Sequence, residues 1–208
     1  MPQPRFDLYL VTDRNLTHGR DLVWVLERAL DGGVKAVQLR EKDLSGKELY
    51  SLAERVTRLC QRYNAQLFIN DRVDVALAVD AAGVHLGETS MPVPAARSLL
   101  GAHCSIGVST HSLDGARRAE QEGADFLVFG PVYFTPSKAD FGAPQGLKAL
   151  QIIVENSTLA VYAIGGIKAE NLLEVKSVGS RGVALISAIM SAEDPALAAK
   201  QIIALLTG

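Results

Sequence analysis

Residues 36–43 read "AVQLREKD". Ala36 and Val37 are apolar, and Gln38, Arg40 and Lys42 follow at every second position. Successive side chains of a strand alternate faces, so these three are expected to point the same way. An amide, a guanidinium and an ammonium gathered on one face form an anion site. Several cations around one spot suit a polyanion such as a diphosphate. Asn70 and Asp71 in "FINDRVD" and Lys138 in "TPSKAD" are expected at the same rim. Asp71 offers hard oxygen, and Mg²⁺ typically binds through one or two carboxylates plus substrate phosphates. The plainer alternative is a rim of surface ion pairs, Glu41 with Lys42 or Asp43 with Lys47. It leaves Gln38 and Arg40 unexplained, because a buried polar side chain needs a partner.

A second candidate anion site is "AIGGIKAEN", residues 163–171. Two glycines between a strand and a helix expose backbone N–H groups, and the helix start adds a positive dipole end. "ISAI", residues 186–189, supplies a partner turn through the small Ser187 and Ala188. Two anion sites imply two phosphorylated ligands, one of them a diphosphate held with Mg²⁺. A chelated diphosphate leaves readily, so a transferase that displaces pyrophosphate is the expected reaction class. His111 could act as acid or base, or could cap the following helix. His85 reads as a hydrogen-bonded structural residue. No Cys–His or Ser–His–Asp pattern is evident, which favours electrostatic and proximity catalysis.

These residues need elements to hold them. Short β-branched runs begin near 8, 36, 67, 83, 105, 126, 159 and 182, and each is followed by an amphipathic stretch. Helices are expected at 21–31, 46–63, 72–79, 92–100, 112–122, 145–156, 168–177 and 194–206. Strands alternating with helices argue for parallel βα units, and eight of them for a closed (β/α)₈ barrel. A doubly wound open sheet is the competing architecture. Barrel sites collect at the C-terminal strand ends, where the polar residues above also fall. "GVK" (33–35), "AAG" (81–83) and "GAD" (123–125) carry glycines expected to end helices. The long connection 131–146 carries Thr135, Ser137 and Lys138 and reads as a loop over that face.

The chain has 208 residues, 48% of them hydrophobic, and a net charge of −2. One domain over 1–208 is expected. The charge gives no general attraction to nucleic acid or to an anionic membrane. No apolar stretch approaches the roughly 18 residues of a membrane span. Cys60 and Cys104 lack metal spacing, and a cytoplasmic location is expected.

Taken in order, "YLVTD", "VQLREKD", "FINDRVDVALAV", "GVHLG", "IGVSTH", "GADFLVFGPVY" with "T" and "SK", "AIGGI" and "ALISAI" resemble the thiamine phosphate synthase family. The resemblance runs from residue 8 to about 195. It implies a (β/α)₈ barrel that joins 4-amino-2-methyl-5-hydroxymethylpyrimidine diphosphate to 4-methyl-5-hydroxyethylthiazole phosphate, releasing pyrophosphate. It implies that the diphosphate meets Gln38, Arg40, Lys42, Asn70 and Lys138, with Ser109, Thr135 and Ser137 lining the site. The thiazole phosphate would sit at Gly166, Ile186 and Ser187. Ser109, Lys138 and His111 become the candidate catalytic residues. Pyrophosphate would leave first, and the thiazole nitrogen would capture a pyrimidine carbocation. Mg²⁺ would lie at Asp71 and at the position of Ser90, where "HLGETS" replaces the family's usual "HLGQxD" with its second aspartate. A homodimer is among the assemblies implied. The sister family, the thiazole tautomerase, would instead make His111 the proton shuttle. A non-catalytic barrel that binds phosphorylated ligands is the third reading.

Overall fold

The computed structural model describes residues 6–135 and 143–208. Eight parallel strands pair in chain order, and the last returns to the first to close a barrel. The strands are β1 (Leu8–Val11), β2 (Ala36–Leu39), β3 (Gln66–Asn70), β4 (Gly83–Leu86), β5 (Ser105–Thr110), β6 (Phe126–Phe129), β7 (Ala160–Ile164) and β8 (Gly182–Leu185). Closure is made by Leu8, Tyr9 and Leu10 facing Val183, Ala184 and Leu185. This pairing excludes the open sheet. Strand–helix alternation alone leaves the two architectures open, because closure is a contact between the first and last strands.

The main helices are α1 (Leu22–Asp31), α2 (Gly46–Arg62), α3 (Val73–Ala78), α4 (Val93–Leu100), α5 (Leu113–Gln121), α6 (Gly146–Asn156), α7 (Leu172–Ser177), α8 (Ser187–Met190) and α9 (Pro195–Thr207). The short α8 lies outside the helices the sequence pattern predicts and adds one turn between β8 and α9. The helix expected at 168–177 starts later, because Asn171 Oδ1 accepts from the Lys168 N–H at 2.8 Å and shapes a turn first. Gly33 and Gly123 take left-handed φ values of 102° and 96° after their helices, as expected. Gly83 does not. Asp80 takes that conformation at φ 52°, and Gly83 opens β4, where a Cβ would lie 1.9 Å from the Ser105 carbonyl oxygen.

Strand alternation divides the interior from the outside. Outward side chains such as Leu10, Val37, Ile69 and Leu127 pack beneath the helices in the larger apolar cluster. Inward side chains form a second cluster, dominated by Phe6, Tyr9, Phe68, Phe126 and Tyr162. Most of their rings meet edge-on or tilted, as with Phe68 and Phe126 at 5.4 Å, while Phe6 stacks on Tyr162 at 4.8 Å; both arrangements suit aromatic quadrupoles. Gly107 makes room for this layer. A Cβ there would lie 2.3 Å from Phe126 and 2.7 Å from His85. Aromatic rings therefore fill the barrel toward the N-terminal strand ends, and the inward positions above them turn polar on β2 to β5, while Val11, Val128 and Ile164 keep β1, β6 and β7 apolar.

Candidate active site

The polar layer follows from the same alternation. Val11 aligns with Gln38, Gln38 with Phe68, Asn70 with His85, and His85 with Gly107. Gln38, Asn70, His85 and Ser109 thus occupy inward positions at or near the C-terminal ends of β2 to β5. Gln38 and His85 are each 3% exposed. Polar groups buried to this degree must be hydrogen-bonded. Gln38 bonds to the Tyr9 hydroxyl. The His85 Nε2 lies 2.9 Å from the Ser109 hydroxyl, and its Nδ1 lies 3.5 Å from the Tyr9 hydroxyl.

Burial pushes His85 down from its ordinary 6.5 to about 3, the Arg40 guanidinium pushes the same way, and Asp71 opposes both. The ring is neutral at physiological pH. A serine–histidine pair does exist here, although no motif announced it. Its histidine is too weak a base to activate the hydroxyl, so Ser109 is an oriented polar group rather than a nucleophile.

Arg40 continues the inward alternation one residue past β2. Its guanidinium has no hydrogen bond or ion pair to another described residue, and its field reaches His85. Lys42 departs from the expected shared face. The strand ends at Leu39, the chain turns at 42–43, and Lys42 is exposed. The surface ion pairs weighed for this rim are not those that form. Asp43 pairs with Arg14 at 2.6 Å, and Glu41 is buried.

Asp71 follows β3 in the left-handed region at φ 61°, which a short polar side chain tolerates. Its Oδ2 accepts from the Asn70 amide at 2.8 Å. Its Oδ1 accepts from the Ser90 hydroxyl, and the Ser90 oxygen accepts from the Gly87 N–H at 2.6 Å. Ser90 therefore stands beside Asp71 as expected, with its one hydrogen committed to that carboxylate. The exposed Glu88 has no hydrogen bond among the described residues.

His111 does not cap α5. Ser112 does, accepting from the Gly115 N–H at 3.1 Å. His111 instead donates from Nδ1 to the Gly130 carbonyl. A carbonyl can only accept, so Nδ1 carries the proton, and in the neutral ring Nε2 keeps its lone pair.

The β6–α6 connection is pinned at its neck. Gln145 and Gly146 donate to the Pro131 and Val132 carbonyls, while Val132 and Tyr133 donate to the Ile164 and Gly165 carbonyls. Tyr133 also bonds Glu174 at 3.0 Å. Thr135 is half-buried at the end of this described stretch. Ser137 and Lys138 lie outside the described residues. Gly165 and Gly166 adopt φ values of 98° and 64°. A Cβ at Gly166 would meet the Phe134 carbonyl oxygen at 2.5 Å. Among the described residues no backbone acceptor takes the N–H of Gly165, Gly166, Ser187 or Ala188. Ile186 and Ser187 join β8 to α8, next to the end of β7. The structure thus brings Gln38, Arg40, Asn70, Asp71, Ser90 and Ser109 to one sector of the mouth, and Gly166, Ile186 and Ser187 to another.

The family model described as thiamine monophosphate synthase matches residues 8–189. The chain belongs to that family. A thiamine-phosphate synthase of Syntrophomonas wolfei is 46% identical over 189 residues, which span 91% of this chain and 90% of that protein. One from Desulfitobacterium hafniense is 44% identical over 198 residues, 95% of this chain and 96% of its own length. Among solved structures, a thiamine phosphate pyrophosphorylase from Pyrococcus furiosus superposes with a TM-score of 0.88 at 40% identity. It covers 97% of this chain and 95% of its own. Synthesis of thiamine phosphate is the activity of this family, and the enzyme is a transferase.

Thr12 and Glu41, bonded side chain to side chain, carry no motif that marks them. Glu41 shares parity with Val37 and Leu39, so a carboxylate continues the buried outward face of β2; that was the available signal.

Proposed function

We propose that the protein joins 4-amino-2-methyl-5-hydroxymethylpyrimidine diphosphate to 4-methyl-5-hydroxyethylthiazole phosphate, releasing pyrophosphate. The observation that carries this reading is the Arg40 guanidinium, without a hydrogen bond or ion pair among the described residues, above a buried polar layer and across the mouth from N–H groups of Gly166 and Ser187 that no described backbone acceptor takes. Arg40, Gln38 and Asn70 grip the diphosphate; the family resemblance adds Lys138 to that grip and Ser137 to the lining. Ser109 and Thr135 line the pyrimidine. The thiazole phosphate sits against the N–H groups at Gly166, with Ile186 and Ser187 beside it.

The donor set at Asp71 is compatible with Mg²⁺. One carboxylate is present, each of its oxygens accepts one hydrogen bond, and each keeps a lone pair. Among the described residues no three His, Cys, Asp or Glu side chains converge. This is the chemistry of an ion shared between one carboxylate and substrate phosphates rather than of an all-protein cage. Bound there, Mg²⁺ would neutralise charge on the departing diphosphate. Ser90 acts on it through Asp71, by holding that carboxylate in place.

The polar layer offers no activated nucleophile, which fits the order the family resemblance implies, with the pyrimidine C–O bond breaking first. Arg40, Gln38 and Asn70 stabilise the leaving pyrophosphate. The two anion sites hold the thiazole nitrogen against the cationic carbon that results. The test is to mix purified protein with both substrates, with Mg²⁺ or with a chelator, and quantify thiamine phosphate. Product in Mg²⁺ alone is expected. Isomerisation of the thiazole carboxylate phosphate without coupling would instead assign the tautomerase reaction, with His111 Nε2 as its base.

A further inference from the structure

Glu41 has no part in the diphosphate grip, and its burial needs a reason. Its side chain is 2% exposed, and it is the only acid among the buried polar residues described. A carboxylate leaves water only where hydrogen bonds recover the loss. Burial raises the pKa of Glu41, while hydrogen bonds from Thr12 and the Arg14 N–H, and the charge of Arg14, oppose the rise.

Those bonds have a direction. The Thr12 hydroxyl donates to Glu41 Oε1 at 2.6 Å, and the Arg14 N–H donates to Oε2 at 3.2 Å. The Arg14 guanidinium is 3.6 Å from Glu41 but is engaged bidentately by Asp43 at 2.7 and 2.6 Å. The Thr12 oxygen in turn accepts from the Arg40 N–H at 2.9 Å. A hydroxyl has one hydrogen. Committing it to Glu41 leaves the Thr12 oxygen to face Arg40 as an acceptor. The Arg40 backbone is thereby pinned one residue past the end of β2, where the sheet no longer holds it. Its guanidinium has no hydrogen bond or ion pair of its own among the described residues, so its place at the mouth is set from its backbone.

We propose that Thr12 and Glu41 are positioning residues that aim Arg40 at the diphosphate-bearing substrate. The proposal rests on the reading that Arg40 binds that substrate. Its test is the steady-state kinetics of Thr12→Val, Thr12→Ser, Glu41→Gln and Arg40→Ala, each substrate varied in turn, with thermal unfolding as a fold control. Thr12→Val should raise the KM for the pyrimidine diphosphate about tenfold and leave the KM for the thiazole phosphate within about twofold. Thr12→Ser keeps the hydroxyl and should restore the wild-type KM. Should Thr12→Val fail to fold, Glu41→Gln decides, since it keeps the volume and removes one acceptor; it should raise the same KM. Equal effects on both KM values, or none, overturn the proposal alone if Arg40→Ala still raises the diphosphate KM. An unchanged KM in Arg40→Ala overturns the site reading and the proposal with it.

Discussion

His85 and Ser109 form a hydrogen-bonded pair whose chemistry is decided by burial. The same burial makes a stability prediction. The folded-state value of His85 is depressed, from 6.5 to about 3, so the unfolded chain takes up the proton first as pH falls. The contribution of His85 is full above about pH 6.5 and is lost progressively toward pH 3. Between pH 7 and 5 the wild type should lose about 2 kcal/mol from this group. Urea unfolding of wild type and His85→Gln at both pH values measures it. An equal loss in the two proteins would show that His85 does not titrate this way. Legibility at this scale followed the reach of the strand. Gln38 and Arg40 were readable from alternation because the extended backbone continues to residue 40. Lys42 was misread because the chain turns first. Thr12 and Glu41 were invisible as a pair, because their bond joins residues 29 apart in sequence.

The turn after β7 shows what an element demands of its residues. Gly166 meets two constraints at once, a left-handed φ of 64° and the Phe134 carbonyl oxygen 2.5 Å from any Cβ. Gly123 meets only the first, with φ 96° and nothing within 4 Å. Gly123→Ala should therefore cost about 1 kcal/mol and leave the kinetics unchanged. Gly166→Ala should cost more, about 2–3 kcal/mol, because a backbone oxygen must move. It should also raise the KM for the thiazole phosphate. Denaturant unfolding with kinetics on both variants checks this, and equal effects would remove the contact from the explanation. The doubled glycine was legible as a turn with free N–H groups. Its packing against the neck of the β6–α6 connection was not, since residues 133–134 and 166 meet only in the barrel.

At the scale of the whole barrel, the interior is layered. Five aromatic rings seal the N-terminal half, and an amide, an amide, an imidazole and a hydroxyl stand above them. The layering was readable in part, since polar residues cluster at the ends of β2 to β5 in the sequence itself. Closure depended on the β1–β8 pairing and came only with the structure. Layering gives the site a dry floor and a charged rim, so charge introduced by a substrate is met by Arg40 rather than by water.

The measurement that bears most directly on this account is kcat/KM for the pyrimidine diphosphate in wild type and Arg40→Ala, with thiamine phosphate quantified as product. Losing a charge-assisted contact to the leaving group predicts a fall of about 100-fold, with thermal unfolding unchanged. A folded Arg40→Ala enzyme with near wild-type kcat/KM would contradict the diphosphate site at the end of β2.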